Sequence, residues 1–217
     1  VPKPNRAILG SAGARRARPS VVRVLGTACG LGVEGSGWVA APQVVVTNAH
    51  VVAGETDTTV QVGGNPPSLA AQVVDFDPHD DVAILRVPGL RERPLTLAAQ
   101  PSSGTGVAIL GYPLDGPFDA EPGRIGQTQA VSTENAYGNG PVTRSITPLR
   151  GLVRPGNSGG PLVSSSGQVD GTVFAAITGG SPTSGPGGMA VPNSVVAAQL
   201  AIGKSRTSPV GSGPCAG

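Results

Sequence analysis

Apolar positions in this chain come in short, β-branched runs. "SVVRV" at 20–24, "QVVVT" at 43–47, "DVAIL" at 81–85 and "GVAIL" at 106–110 are bounded by Gly, Pro, Asn or Asp. Runs of this length between turn residues read as strands. On that basis the pattern predicts one set of six strands at 21–27, 36–41, 43–47, 58–62, 69–76 and 82–87. A second set follows at 106–110, 124–132, 142–148, 161–164, 168–177 and 188–191. Only "PNSVVAAQLAIGK" near the end has helical spacing, with Asn193 or Ser194 as the N-cap and Gly203 as the stop. Many short strands with turns between them favour a sandwich or barrel over an α/β fold.

Two groups of six strands predict an all-β molecule of two six-stranded antiparallel barrels with a C-terminal helix. The expected organisation is an arm over 1–20, a first barrel over 21–90 and a Pro- and Gly-rich connector over 91–105. A second barrel over 106–192 and a helix with tail over 193–217 complete it. Glycine (34) and proline (22) make up about 26% of the 217 residues, a share that can signal low complexity. Here they punctuate strands instead. The basic cluster "ARRAR" at 14–18 reads as a solvated arm.

A net charge of +2 is too mild to propose nucleic acid as a partner. No stretch of about 20 apolar residues is present to span a bilayer, so any anchor is expected outside these residues. The two cysteines, Cys29 and Cys215, lie near opposite ends and lack zinc-ligand spacing. If they pair, the long loop is worth about 5 kcal/mol as an upper figure, and the compartment is oxidising. The alternative is two separate buried thiols.

Chemistry enters with "RPGNSGGPL" at 154–162, where one serine, Ser158, stands among three glycines. Gly, Pro, Asn and Ser are also what turns are made of. A nucleophilic serine needs a general base, most often histidine, held by a carboxylate. Both histidines, His50 and His79, precede Ser158. That order excludes the α/β-hydrolases, which share a Gly-x-Ser-x-Gly motif but place the histidine last. His50 ends the rigid run "VVVTNAH", whereas His79 lies in the polar turn "DFDPHDD", so His50 is the better base. Asp81 directly precedes an apolar strand and is the first choice for the acid, with Asp80 next. Asp75, Asp77, His79, Asp80 and Asp81 match no calcium-loop spacing, and no metal is expected.

"TNAHVV", "DPHDDVAIL" and "RPGNSGGPL", in this order, together with "GSGWVA" and "GMAVPNS", resemble trypsin-like serine proteases of the HtrA-like branch over residues 19–200. The resemblance implies a cofactor-free serine endopeptidase with His50, Asp81 and Ser158 as triad and the N–H groups of Gly156 and Ser158 as oxyanion hole. It implies a substrate-binding edge from the strand 171–176, with Thr172, Val173 and Phe174 as contacts. Leu152, six residues before the serine, implies an uncharged S1 pocket. Asn157 replaces the Asp that receives a freed N-terminus in digestive members. An isolated monomeric domain acting on protein or peptide substrates follows. Its expected setting is periplasmic or secreted, tethered to a membrane by a segment outside these residues, with a role in acid or envelope stress. The competing reading is a catalytically silent protease fold used for binding.

Overall fold

The computed structural model describes residues 1–177 and 185–216. The first barrel contains β1 (Val21–Ala28), β2 (Leu31–Ala41), β3 (Val44–Thr47), β4 (Thr59–Val62), β5 (Ser68–Ala70), β6 (Gln72–Asp77) and β7 (Val82–Arg86), hydrogen-bonded in the order β5-β4-β1-β2-β3-β7-β6. Only Ala71 separates β5 from β6, so one bent strand pairs with β4 at one end and β7 at the other. That continuity closes six strands into a barrel. Val22, Val24, Val39, Val45, Val60 and Leu85 fill its interior.

The second barrel contains β8 (Gly106–Gly111), β9 (Asp119–Ile125), β10 (Gln129–Thr133), β11 (Val142–Gly151), β12 (Pro161–Ser164), β13 (Val169–Ile177) and β14 (Gly187–Val191). The order β11-β14-β13-β12-β8-β9 closes on itself through a β11–β9 pairing, and β10 extends from β11 as a hairpin. The expected strand at 124–132 is therefore two strands, with Gly126–Thr128 between them. Ile109, Ile125, Leu149, Leu162 and Val173 form the interior.

A third apolar cluster joins the barrels. Val21, Trp38, Ile84, Leu110, Tyr112, Phe174 and Val196 belong to it. Burial removes each of these from water at about 25 cal/mol per Å² of apolar surface. Its polar edges are satisfied across the interface: Trp38 Nε1 donates to Thr172 Oγ1 at 3.1 Å, and Tyr112 Oη donates to Val21 O at 3.2 Å.

Three further expectations change. The segment 1–20 is not a bare arm: helix α1 (Ala12–Ala17) is capped by Ser11 and buries Ala14 and Ala17. Gly13 lies so close to Ser165 that a Cβ there would meet its carbonyl oxygen at 2.3 Å. The arginines of the cluster remain on the exposed side. With α2 (Ala49–Val52) following β3, the C-terminal helix is α3 (Asn193–Ser205), and Gly203 lies inside it. A Cβ at 203 would meet Ile84 Cγ2 at 2.6 Å, so this glycine serves close packing and not termination. Asn193 does not cap the helix; its amide donates to Ala98 O and Val169 O at 2.9 and 2.8 Å.

Candidate functional site

His50 projects from α2, the single turn that follows β3. Asp81 occupies the turn before β7, in a left-handed conformation (φ +61°) and almost wholly buried. Such backbone strain in a non-glycine residue persists only where its surroundings fix it. Here they do. Asp81 Oδ2 pairs with His50 Nδ1 at 2.8 Å, Oδ1 accepts the His50 backbone N–H at 2.9 Å, and the Asp81 carbonyl accepts from Asn48 Nδ2 at 2.8 Å. With Nδ1 held by the carboxylate, Nε2 is the ring nitrogen left to take a proton. Asp80 instead lies beside the exposed His79, at 3.2 Å, away from His50.

Ser158 lies in the loop joining β11 and β12, and the first barrel meets that loop directly. Ser36 N–H donates to Ser158 O at 2.8 Å. A Cβ on Gly35 would lie 2.7 Å from Val51 and 3.1 Å from Ser158 O, which sets the residue next to His50 against the serine. Gly159 (φ +84°) passes so near that its Cβ would meet Ser36 O at 2.1 Å. No side chain larger than glycine's fits there. The Ser158 hydroxyl donates to Phe174 O at 3.3 Å.

Each carbonyl from Pro155 to Ser158 is taken. Pro155 O accepts from Leu114 N–H at 2.9 Å, Gly156 O from the Ser36 hydroxyl at 2.6 Å, Asn157 O from Gly160 N–H at 2.9 Å and Ser158 O from Ser36 N–H. In a planar trans peptide the N–H points opposite to the preceding carbonyl. Pinning the carbonyls of 155 and 157 therefore directs the N–H groups of Gly156 and Ser158 away from the protein framework, and neither has an acceptor among the described residues. Gly156 (φ +92°) leaves no room for a side chain, since a Cβ would meet Tyr112 O at 2.5 Å. Asn157 is buried and its Oδ1 accepts Arg154 N–H at 2.9 Å, closing the loop without an ion pair. Arg154 itself bridges Asp119 and Glu121 at 2.7 and 2.8 Å.

The expected substrate contacts are only partly placed as the sequence suggested. Thr172 and Val173 are fully buried. The Thr172 hydroxyl is used by Trp38, and the Val173 main chain bonds Gly159 and Gly160. Beyond Thr172, β12 no longer pairs with β13, so among the described residues the edge from Phe174 to Ile177 has a neighbouring strand on the β14 side alone. Leu152 is partly exposed in a surface cleft of about 430 Å³ that also contains Glu121 and Arg150. Neighbouring Val153 packs into the space left by Gly188. Cys29 and Cys215 are joined in a disulfide.

A residue the sequence did not single out, Ser36, joins the two halves. It holds Gly156 O and receives Tyr112 N–H at 2.9 Å. Its only signal was its place in "GSGW".

A histidine paired to a buried carboxylate, a serine, and two free N–H groups together can carry out acyl transfer. The trypsin-like peptidase domain matches residues 35–171. The chain is 43% identical over 220 residues to the serine protease Rv3671c of Mycobacterium tuberculosis, covering 99% of this chain. It spans 53% of that relative's length. It is 33% identical to Protease Do-like 1, chloroplastic, of Arabidopsis thaliana, over 71% of this chain and 36% of that protein. Among solved structures, the Rv3671c protease of M. tuberculosis in its active form superposes with a TM-score of 0.90 at 40% identity, covering 100% of this chain and 94% of that one. The inactive form of Rv3671c gives 0.80 at 40% identity, over 93% of this chain and 98% of that one.

Proposed function

The chain belongs to the trypsin-like serine peptidases, and from that membership we propose that it hydrolyses peptide bonds through an acyl-enzyme, with Ser158 as nucleophile, His50 as base and Asp81 as the group that orients the imidazole. The observation that supports this reading is the set of four satisfied carbonyls at 155–158, which leaves the N–H groups of Gly156 and Ser158 without an acceptor among the described residues, in a loop that Gly35 sets against Val51, the residue after His50. Donors fixed in advance stabilise the developing oxyanion at no cost in reorganisation.

The reaction begins when Ser158 turns its hydroxyl from Phe174 O toward His50 Nε2, a rotation between staggered side-chain wells. The oxygen attacks the scissile carbonyl as the imidazole takes its proton. The oxyanion then sits on the two N–H groups, and the imidazolium returns the proton to the leaving amine. An extended peptide lies along the open edge at 174–177, as an added strand. Val153 and Gly188, packed together beside Ala175 of β13, support an uncharged side chain at P1, whereas Leu152 lies in the cleft with Glu121 and Arg150.

The disulfide supports an extracytoplasmic setting. A role in acid or envelope stress belongs to the same proposal; the buried Glu55 carboxyl, raised by burial from 4.5 to about 7, gives the fold a contribution to stability on the acid side. A fluorophosphonate probe tests the catalytic assignment against a silent binding fold. It is expected to label Ser158 in the wild type and to label neither Ser158→Ala nor His50→Ala. No adduct on a folded wild-type chain would favour the silent reading.

A further inference from the structure

The turn at 113–116 is strained. Leu114 (φ 57°) and Asp115 (φ 58°) are consecutive non-glycine residues in the left-handed region, where a side chain crowds the following carbonyl. It also bears on the oxyanion loop. Leu114 N–H holds Pro155 O at 2.9 Å, and Tyr112 O and Pro113 Cα form the wall that a Cβ on Gly156 would strike at 2.5 and 3.0 Å. A turn in this conformation needs bonds from outside itself.

Two charged residues of the first barrel supply them. Glu34, on β2, accepts Asp115 N–H at Oε1 at 2.6 Å. Arg23, on β1, donates to Gly116 O, lies 5.4 Å from the centre of the Tyr112 ring and stands 3.8 Å from Glu34 Oε2. Both side chains are largely buried, at 14% exposure each. This is an expensive place for a surface-type ion pair, and the serine chemistry does not use either residue directly.

We infer that Arg23 and Glu34 are positioning residues for the oxyanion hole: together they hold the 113–116 turn, and through Leu114 the turn sets the direction of the Gly156 N–H. The inference rests on the proteolytic reading above and extends it to residues of the opposite barrel. Burial first, and then the hydrogen-bonded Asp115 carboxyl, raise the Glu34 carboxyl from 4.5 to about 7, against the pull of Arg23. A neutral side chain with the same acceptor oxygen can therefore stand in for it.

The test uses the full chain and its Glu34→Ala, Glu34→Gln and Arg23→Met variants. Each is assayed for kcat and KM on one fluorogenic peptide and for inhibition by the matching peptide aldehyde, whose hemiacetal places an oxyanion in the hole. Glu34→Ala is expected to lower kcat by at least about tenfold, toward the 10²–10³-fold cost of losing one donor. Aldehyde affinity falls by a similar factor while KM stays within about twofold, because ground-state binding does not use the hole. Glu34→Gln restores kcat to within about threefold of wild type, since its amide oxygen still accepts Asp115 N–H. Arg23→Met reproduces the kcat and aldehyde losses, and it decides the matter if Glu34→Ala does not fold. Unchanged kcat and aldehyde affinity in the folded variants, a loss confined to KM, or a Gln variant no better than Ala would overturn the inference while leaving the proteolytic reading intact. A wild-type chain that neither cleaves the peptide nor takes up the fluorophosphonate overturns that reading, and the inference with it.

Discussion

The two halves of the site are built in different ways. The His50–Asp81 half is largely local: both carboxylate oxygens bond to one residue, and a further support, Asn48, lies two residues before it. The Ser158 half is borrowed. Its carbonyls are held by Ser36 from β2, by Leu114 from the turn after β8, and its arginine by Asp119 and Glu121 from β9. The His50–Asp81 pair is thus made within the first barrel, whereas the 155–158 loop is held by several separate elements.

That contrast is broken most severely by removing a reacting group. Ser158→Ala and His50→Ala are each expected to reduce kcat by about 10⁶-fold with melting temperature nearly unchanged, as read by peptide hydrolysis and calorimetry. Asp81→Asn comes next, at about 10⁴-fold. Asparagine tolerates the left-handed backbone at this position, so the loss belongs to the imidazole and not to the fold. Gly156→Ala tests the borrowed half. Its Cβ would strike Tyr112 O and displace the N–H, lowering kcat by about 10²–10³-fold with little change in KM. A Gly156→Ala variant with wild-type kcat would show that the hole does not depend on this loop geometry.

Smaller effects fall on stability. The Cys29–Cys215 bond ties the tail to the β1–β2 turn, where Cys215 packs against Gly54. Replacing both cysteines by alanine is expected to lower the melting temperature by about 5–15 °C, with a much smaller change in kcat/KM. Equal melting temperatures would refute a stabilising role. The smallest effect concerns pH. Burial raises the Glu55 carboxyl from 4.5 to about 7, with Asp57 adding to the rise and the Thr58 hydroxyl opposing it. Its folded-state value lies above its unfolded one, so its contribution to stability is fully present below about 4.5 and is lost as pH rises toward 7. Glu55→Gln should therefore raise the melting temperature at pH 7.5 by about 2–4 °C, allowing for solvent screening, and leave it unchanged at pH 4.5. An equal shift at both pH values would contradict the titration.

The same contrast explains what could be read in the sequence. Residues whose role is local announced themselves: His50 at the end of a valine-rich strand, Asp81 before another, Ser158 among glycines. Strand positions in the first barrel followed from β-branched runs. The 124–132 segment misled because its break, Gly126–Thr128, carries no proline, while the strand before it contains Pro122 and two acids and reads as loop. Alternation tells which face of β13 is buried but not where its neighbour stops pairing, so Thr172 and Val173 were expected at an edge they do not reach. Ser36, Glu34 and Leu114 act across separations of about 80 to 120 residues or through a leucine in an uncommon backbone state. Apart from the place of Ser36 in "GSGW", local pattern holds no trace of such contacts.

Acylation of Ser158 with His50 as its base is tested by rapid mixing with an activated ester of a peptide, followed by mass analysis of the protein. One acyl group per chain is expected, located on Ser158 and formed in a burst that His50→Ala slows by at least about 10⁴-fold. An acyl group at another residue, or equal burst rates in wild type and His50→Ala, would contradict it.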